Sequence, residues 1–172
     1  MKSANTLLKK LFLVILTGAL MGSPGDSVKA QSNEPLRLEF VGIGGGPPDV
    51  VVLGDGTVIF KITAIQSATG DLTGTLTERI TQVYPASDEE GLLPITTFWS
   101  LVTTEGTIEG YYAGKFDHLK DGNHMIIEHG EILSVTGAYA ALYQATVTYK
   151  AVLGPDHMTI AGTMTIRSRN KR

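Results

Sequence analysis

The sequence predicts an all-β fold: an eight-stranded antiparallel up-and-down barrel, preceded by a signal peptide. Three observations predict it. The C-terminal segments Thr146 to Leu153 and Met158 to Ile166 alternate apolar and polar residues on either side of Gly154-Pro155-Asp156. Such period-two alternation marks strands with one buried and one wet face, which antiparallel sheets allow. Turn pairs recur at fairly even intervals, and no long amphipathic helical pattern interrupts them.

In order, Leu36 to Ile43 reads as a strand ended by Gly44-Gly45-Gly46-Pro47-Pro48. Asp55-Gly56 turns the chain into Val58 to Gln66, where Val58, Phe60, Ile62 and Ala64 share a face. Ala68-Thr69-Gly70-Asp71 leads into Leu72 to Tyr84, and Pro85 to Pro94 is a polar loop carrying Asp88, Glu89 and Glu90. Ile95 to Thr104 and Thr107 to Asp117 form a hairpin closed at Glu105-Gly106, and Asp121-Gly122 closes the next, before His124 to Ser134. Asp-Gly and similar pairs supply the positive φ that tight hairpins need. Ala138 to Ala145 reads as a turn and strand start that can include one helical turn, because eight residues make a marginal helix. A closed barrel and an open sandwich both fit this meander. Closure removes exposed edges, and adjacent hairpins favour it over long crossovers.

The N-terminus reads as a secretory signal. Lys2, Lys9 and Lys10 precede the apolar run Leu11 to Leu20, and Val28 and Ala30 place cleavage before Gln31. The run is too short for a membrane span, which needs roughly 20 apolar residues, so no stable membrane anchor is expected after cleavage. Residues 1–30 are thus assigned to the signal peptide and 31–172 to one barrel domain, secreted or periplasmic. The signal takes four of the 14 basic and one of the 17 acidic residues, leaving a net charge of −6. An acidic domain is a poor nucleic-acid partner, and the basic tail Arg167, Arg169, Lys171, Arg172 reads as a solvated terminus. There is no cysteine, so neither disulfides nor thiol chemistry contribute.

Thr136-Gly137-Ala138-Tyr139-Ala140-Ala141, followed by a long alternating strand, resembles the TG-x-aromatic-A signature of allene oxide cyclase-like and dirigent-like proteins. Gly110-Tyr111-Tyr112-Ala113-Gly114-Lys115-Phe116 resembles an earlier segment of the same group. The resemblance covers roughly the last two-thirds of the chain. It implies an eight-stranded barrel with an apolar central cavity, often trimeric, whose relatives guide cyclisation or coupling of reactive hydrophobic intermediates. It also implies a glutamate and a proline at the pocket mouth, places that Glu39 and Pro48 fit by spacing. The chain departs from the pattern at Val41, at Tyr143-Gln144 and in having no cysteine.

Candidate site residues are the polar or aromatic side chains on the apolar phase of a strand. Glu78 lies on the phase of Leu72, Gly74, Leu76, Ile80 and Gln82, where an unpaired carboxylate is costly. It is either an acid or base of raised pKa, a hydrogen-bonding anchor, a rim residue near an open barrel end, or a buried residue paired with neighbours of Arg79 or with a lysine. Trp99 lies on the phase of Ile95, Thr97 and Leu101, as core filler or cavity lining. Gly110, Tyr112, Gly114 and Phe116 share a face, where the glycines either give a ligand room beside two rings or only relieve curvature of the sheet. Tyr139 wedges its turn against a barrel end. Met125, Ile126 and Ile127 are consecutive, so the phase of that strand is undecided and either Glu128 or His129 points inward. His124 and Glu128 share one face and His129 and Glu131 the other, in no zinc or cupin spacing. Leu119 spoils a calcium loop through Asp117, Asp121 and Asn123. Gly42-x-Gly44-x-Gly46 is followed by prolines rather than a helix, so it is no dinucleotide fingerprint.

The expected function is an exported barrel that binds a hydrophobic small molecule at Glu39, Glu78, Trp99, Tyr112, Glu128 and His129, with no metal and no cofactor. Any turnover would be isomerase- or cyclase-like. The alternative is a non-catalytic surface or assembly module with a packed interior.

Overall fold

The computed structural model describes residues 34–44, 46–87, 93–119, 121–156 and 158–169. The expected signal peptide and its cleavage point lie outside them, as do Asp88, Glu89, Glu90, Lys171 and Arg172. Among the described residues no helix is long and apolar enough to cross a membrane.

Among the described residues nine strands form: β1 Leu36–Gly44, β2 Asp49–Val52, β3 Val58–Gly70, β4 Gly74–Tyr84, β5 Leu93–Val102, β6 Thr107–His118, β7 His124–Val135, β8 Thr146–Leu153 and β9 Thr159–Arg167. Every pairing is antiparallel, and β3 to β9 pair in sequence order. β1 pairs with β9 along one edge, Leu36 opposite Ile166, and with β3 along the other, Leu38 opposite Gly70. The sheet is therefore a closed eight-stranded barrel, with β2 as an additional strand on β3. Closure satisfies the backbone groups that a sandwich would leave along its margins.

The alternation read from the sequence sets the wall. Leu76, Glu78, Ile80 and Gln82 of β4 point inward, as do Ile95, Thr97, Trp99 and Leu101 of β5 and Val147, Tyr149 and Ala151 of β8. On β7 the ambiguous run resolves with Ile126 and Glu128 inside and Met125, Ile127 and His129 outside.

Two elements differ from expectation. β2 is an extra strand: Asp49 to Val52 pairs with Val58 to Lys61 across the Asp55-Gly56 turn, with Gly56 at φ 89° and the Thr57 N–H donating to Asp55 Oδ1 at 2.9 Å. All four β2 residues are exposed, so no alternation marked it. The second is a 3-10 helix, Gly137–Leu142, after which the next strand begins only at Thr146. The Thr136 hydroxyl does not cap it; its Oγ1 accepts from the Thr107 N–H at 2.9 Å and ties the turn to β6. Tyr139 is buried at this end, its hydroxyl 2.7 Å from Thr103 Oγ1. It wedges the turn against the barrel as the sequence predicts.

Candidate functional site

The barrel interior holds a column of four aromatic rings. Trp99 of β5 stacks on Tyr112 of β6 at 5.9 Å between centroids, Tyr112 on Tyr149 of β8 at 4.7 Å, and Tyr149 on Phe40 of β1 at 4.7 Å. Each stacked pair adds roughly 0.5–1.5 kcal/mol to the burial of its area. The column ends against glycines. Gly110 is the direct cross-strand partner of Trp99, and Gly162 that of Phe40. A Cβ at Gly110 would stand 2.7 Å from Trp99 Cζ2, and one at Gly162 2.6 Å from Phe40 Cζ. Absence of a side chain lets the two terminal rings lie against the wall, and at Gly110 the Trp99 ring occupies the space beside Tyr112.

Glu78 is buried against this column, 1% exposed. Three groups from three other strands converge on its carboxyl. Tyr112 donates its hydroxyl to Oε1, Gln66 of β3 donates Nε2–H to Oε2, and Tyr149 donates its hydroxyl to Oε2 at 3.3 Å. Glu128 is equally buried; its Oε1 accepts from the Thr97 hydroxyl at 3.0 Å. Every described lysine and arginine lies exposed on the outside, so no lysine or arginine within the described residues reaches either acid. The pairing of Glu78 with a lysine considered from sequence does not occur there.

Without such a cation, desolvation governs the chemistry. Burial raises Glu78 from its ordinary 4.5 to about 8, against the opposing pull of the Tyr149 and Gln66 hydrogen bonds. Burial raises Glu128 to about 9, opposed by Thr97 and reinforced by the charge of Glu78. Burial and the same two carboxyls hold the Tyr149 phenol well above its usual range. Both acids are consequently neutral at pH 7. A neutral carboxyl must donate its own proton, so one of the three donors around Glu78 has to turn away from it. The arrangement can thus hold a proton on Glu78 and pass it through Tyr112 or Tyr149.

Of the residues chosen from sequence, Glu78, Trp99, Tyr112 and Glu128 meet inside the barrel. Glu39 and His129 do not: both are exposed on the outer wall, where His129 Nδ1 lies 3.3 Å from Thr148 Oγ1. Strand pleating separates Glu39 from the inward Leu38 and Phe40, and His129 from the inward Glu128, so neither can line the interior. Sequence reasoning passed over Gln66, Thr97, Phe40 and Tyr149 as site residues. Gln66 continues the phase of Ala64, which was the available signal.

The outer wall carries a separate shallow depression of about 250 Å³ lined by Thr148, Lys150, Thr163, Thr165 and Arg167. It lies on the opposite side of β8 and β9 from the ring column. Among the described residues no three His, Asp or Glu side chains cluster as a metal site would require. Comparison of the chain with protein-family models, with curated proteins and with solved structures finds no significant match.

Proposed function

We propose that this protein is an exported barrel that takes a small hydrophobic molecule against its interior ring column and assists an isomerisation or cyclisation by protonating it. The observation that carries the reading is Glu78: a carboxyl 1% exposed, beside aromatic rings, neutral at pH 7 and hydrogen-bonded to two tyrosines. Buried acids of raised pKa without a partner cation concentrate at functional sites. A general acid is most effective when its pKa lies near the working pH. The proton leaves Glu78, or a tyrosine bonded to it, for an oxygen of the ligand. A later step of the ligand returns a proton to the carboxylate, so the acid is regenerated without a co-reactant. The resemblance to allene oxide cyclase-like proteins supports the same class of reaction and a trimeric assembly.

The test is a titration of the purified protein with an environment-sensitive apolar dye, combined with native mass spectrometry. The reading expects saturable uptake of about one molecule per chain that Glu78→Gln and Tyr112→Phe alter. Absence of uptake would leave the second reading, a non-catalytic module with a solid interior. The four stacked rings favour that reading, because such a column already fills part of the barrel.

A further inference from the structure

Two polar atoms of the interior have no hydrogen-bond partner among the described residues, and both belong to the surroundings of Glu78. One is Gln66 Oε1, an acceptor, on a residue 2% exposed. The other is Trp99 Nε1–H, a donor, on a residue 3% exposed. Gln66 reaches Glu78 with its other terminal atom, and Trp99 is the direct cross-strand partner of Glu78 on β5. The large majority of buried side-chain polar atoms in folded proteins have a hydrogen-bond partner. An acceptor and a donor left over on two residues that neighbour one acid, the first by hydrogen bond and the second by strand pairing, are therefore a demand for complementary chemistry. With the Gln66 Nε2–H kept on Glu78, the group that turns to accept the carboxyl proton is the hydroxyl of Tyr112 or Tyr149, and Gln66 Oε1 stays free.

We infer that the ligand's polar end is a neutral group offering one acceptor and one donor, a carbonyl with a nearby hydroxyl, taken up between Trp99 Nε1–H and Gln66 Oε1. This rests on the interior being the binding site. The carbonyl oxygen accepts from the indole, the hydroxyl donates to the amide, and a flat conjugated body suits the face of the ring column. Hydroxy-enones have this composition. A carboxylate-ended ligand is disfavoured, since two buried acids line the interior and no described lysine or arginine does. A hydrocarbon would leave both atoms unpaired. An amine would satisfy Gln66 Oε1 but has nothing for the indole N–H to donate to once it is protonated.

The experiment titrates the protein with four ring compounds of matched size: a hydroxycyclohexenone, cyclohexene, cyclohexenecarboxylate and a cyclohexenylmethylamine. Trp99 fluorescence and saturation-transfer NMR read the binding. The hydroxy-enone should bind at least about tenfold more tightly than the other three, the scale of one well-made buried hydrogen bond. Trp99→Phe and Gln66→Leu should each bring its advantage over cyclohexene towards unity. Equal binding of cyclohexene and the hydroxy-enone overturns the head-group inference while interior binding stands. Tightest binding of the amine or the carboxylate overturns it in favour of a charged ligand. If none of the four binds, both this inference and the interior site fall. Where a variant fails to fold, the order of affinities in the unaltered protein decides alone.

Discussion

Tyr149 and Glu78 meet inside the barrel from β8 and β4, 71 positions apart in the chain, with the phenol oxygen 3.3 Å from Oε2. The barrel is fastened internally as well as around its wall. A contact of this kind couples the protonation of one strand to the position of another, and its consequences are measurable.

Stability should fall as pH rises. The folded state holds protons on Glu78 and Glu128 up to about 8 and about 9, whereas the unfolded chain releases them near 4.5. Between those limits the folded form binds more protons, so each group costs about 1.4 kcal/mol per pH unit. Stability is highest below pH 4.5 as far as these two acids are concerned, and it levels off above pH 9. Urea melts from pH 5 to pH 9 should show the decline, and Glu78→Gln or Glu128→Gln should reduce its slope. A flat profile would refute the assignment.

Trp99 is the single tryptophan and stacks on the ring bonded to Glu78. Its emission should be blue-shifted at neutral pH and should change through the Glu78 titration near pH 8. Glu78→Gln should abolish that change while leaving the blue shift.

Gly110→Ala should destabilise the barrel by about 1–3 kcal/mol, the usual cost of overpacking. The new Cβ would stand 2.5 Å from the Glu131 carbonyl oxygen and 2.7 Å from Trp99 Cζ2. Denaturant midpoints measure the loss, and the altered Trp99 emission should accompany it. Gly162→Ala should do the same at the Phe40 end of the column.

Tyr139→Phe removes only the hydroxyl that lies 2.7 Å from Thr103 Oγ1. It should cost about 1 kcal/mol of stability, without changing the pH slope set by Glu78 and Glu128. Glu39→Ala and His129→Ala, both on the outer wall, should shift stability by no more than about 0.5 kcal/mol and leave dye uptake as it was.

The wall was legible because its signal is the period-two pattern. Glu78, Trp99 and Tyr112 are legible as polar or aromatic residues on an apolar phase, and Glu128 only as one of two alternatives with His129. Where that pattern lapses, the reading lapsed too. Asp49-Val50-Val51-Val52 has no wet and dry alternation because neither of its faces is buried. Met125-Ile126-Ile127 is apolar on both phases, so only the register against β6 and β8 decides that Glu128 enters and His129 does not. Glu39 was chosen by spacing in a family resemblance, and pleating puts it outside. What connects Gln66, Tyr112 and Tyr149 to one carboxyl is barrel closure, a long-range property that no local window contains.

The seam between β1 and β9 has a further consequence, one of timing. During synthesis β1 is among the first of the described strands to emerge and β9 the last, yet each needs the other as a neighbour. Contacts so distant along the chain form slowly. Until the final strand arrives, Phe40 has no Gly162 to lie against and the two inner acids remain hydrated and ionised. Sealing the seam and taking up two protons should therefore be one kinetic event, faster in mildly acidic solution than in alkaline.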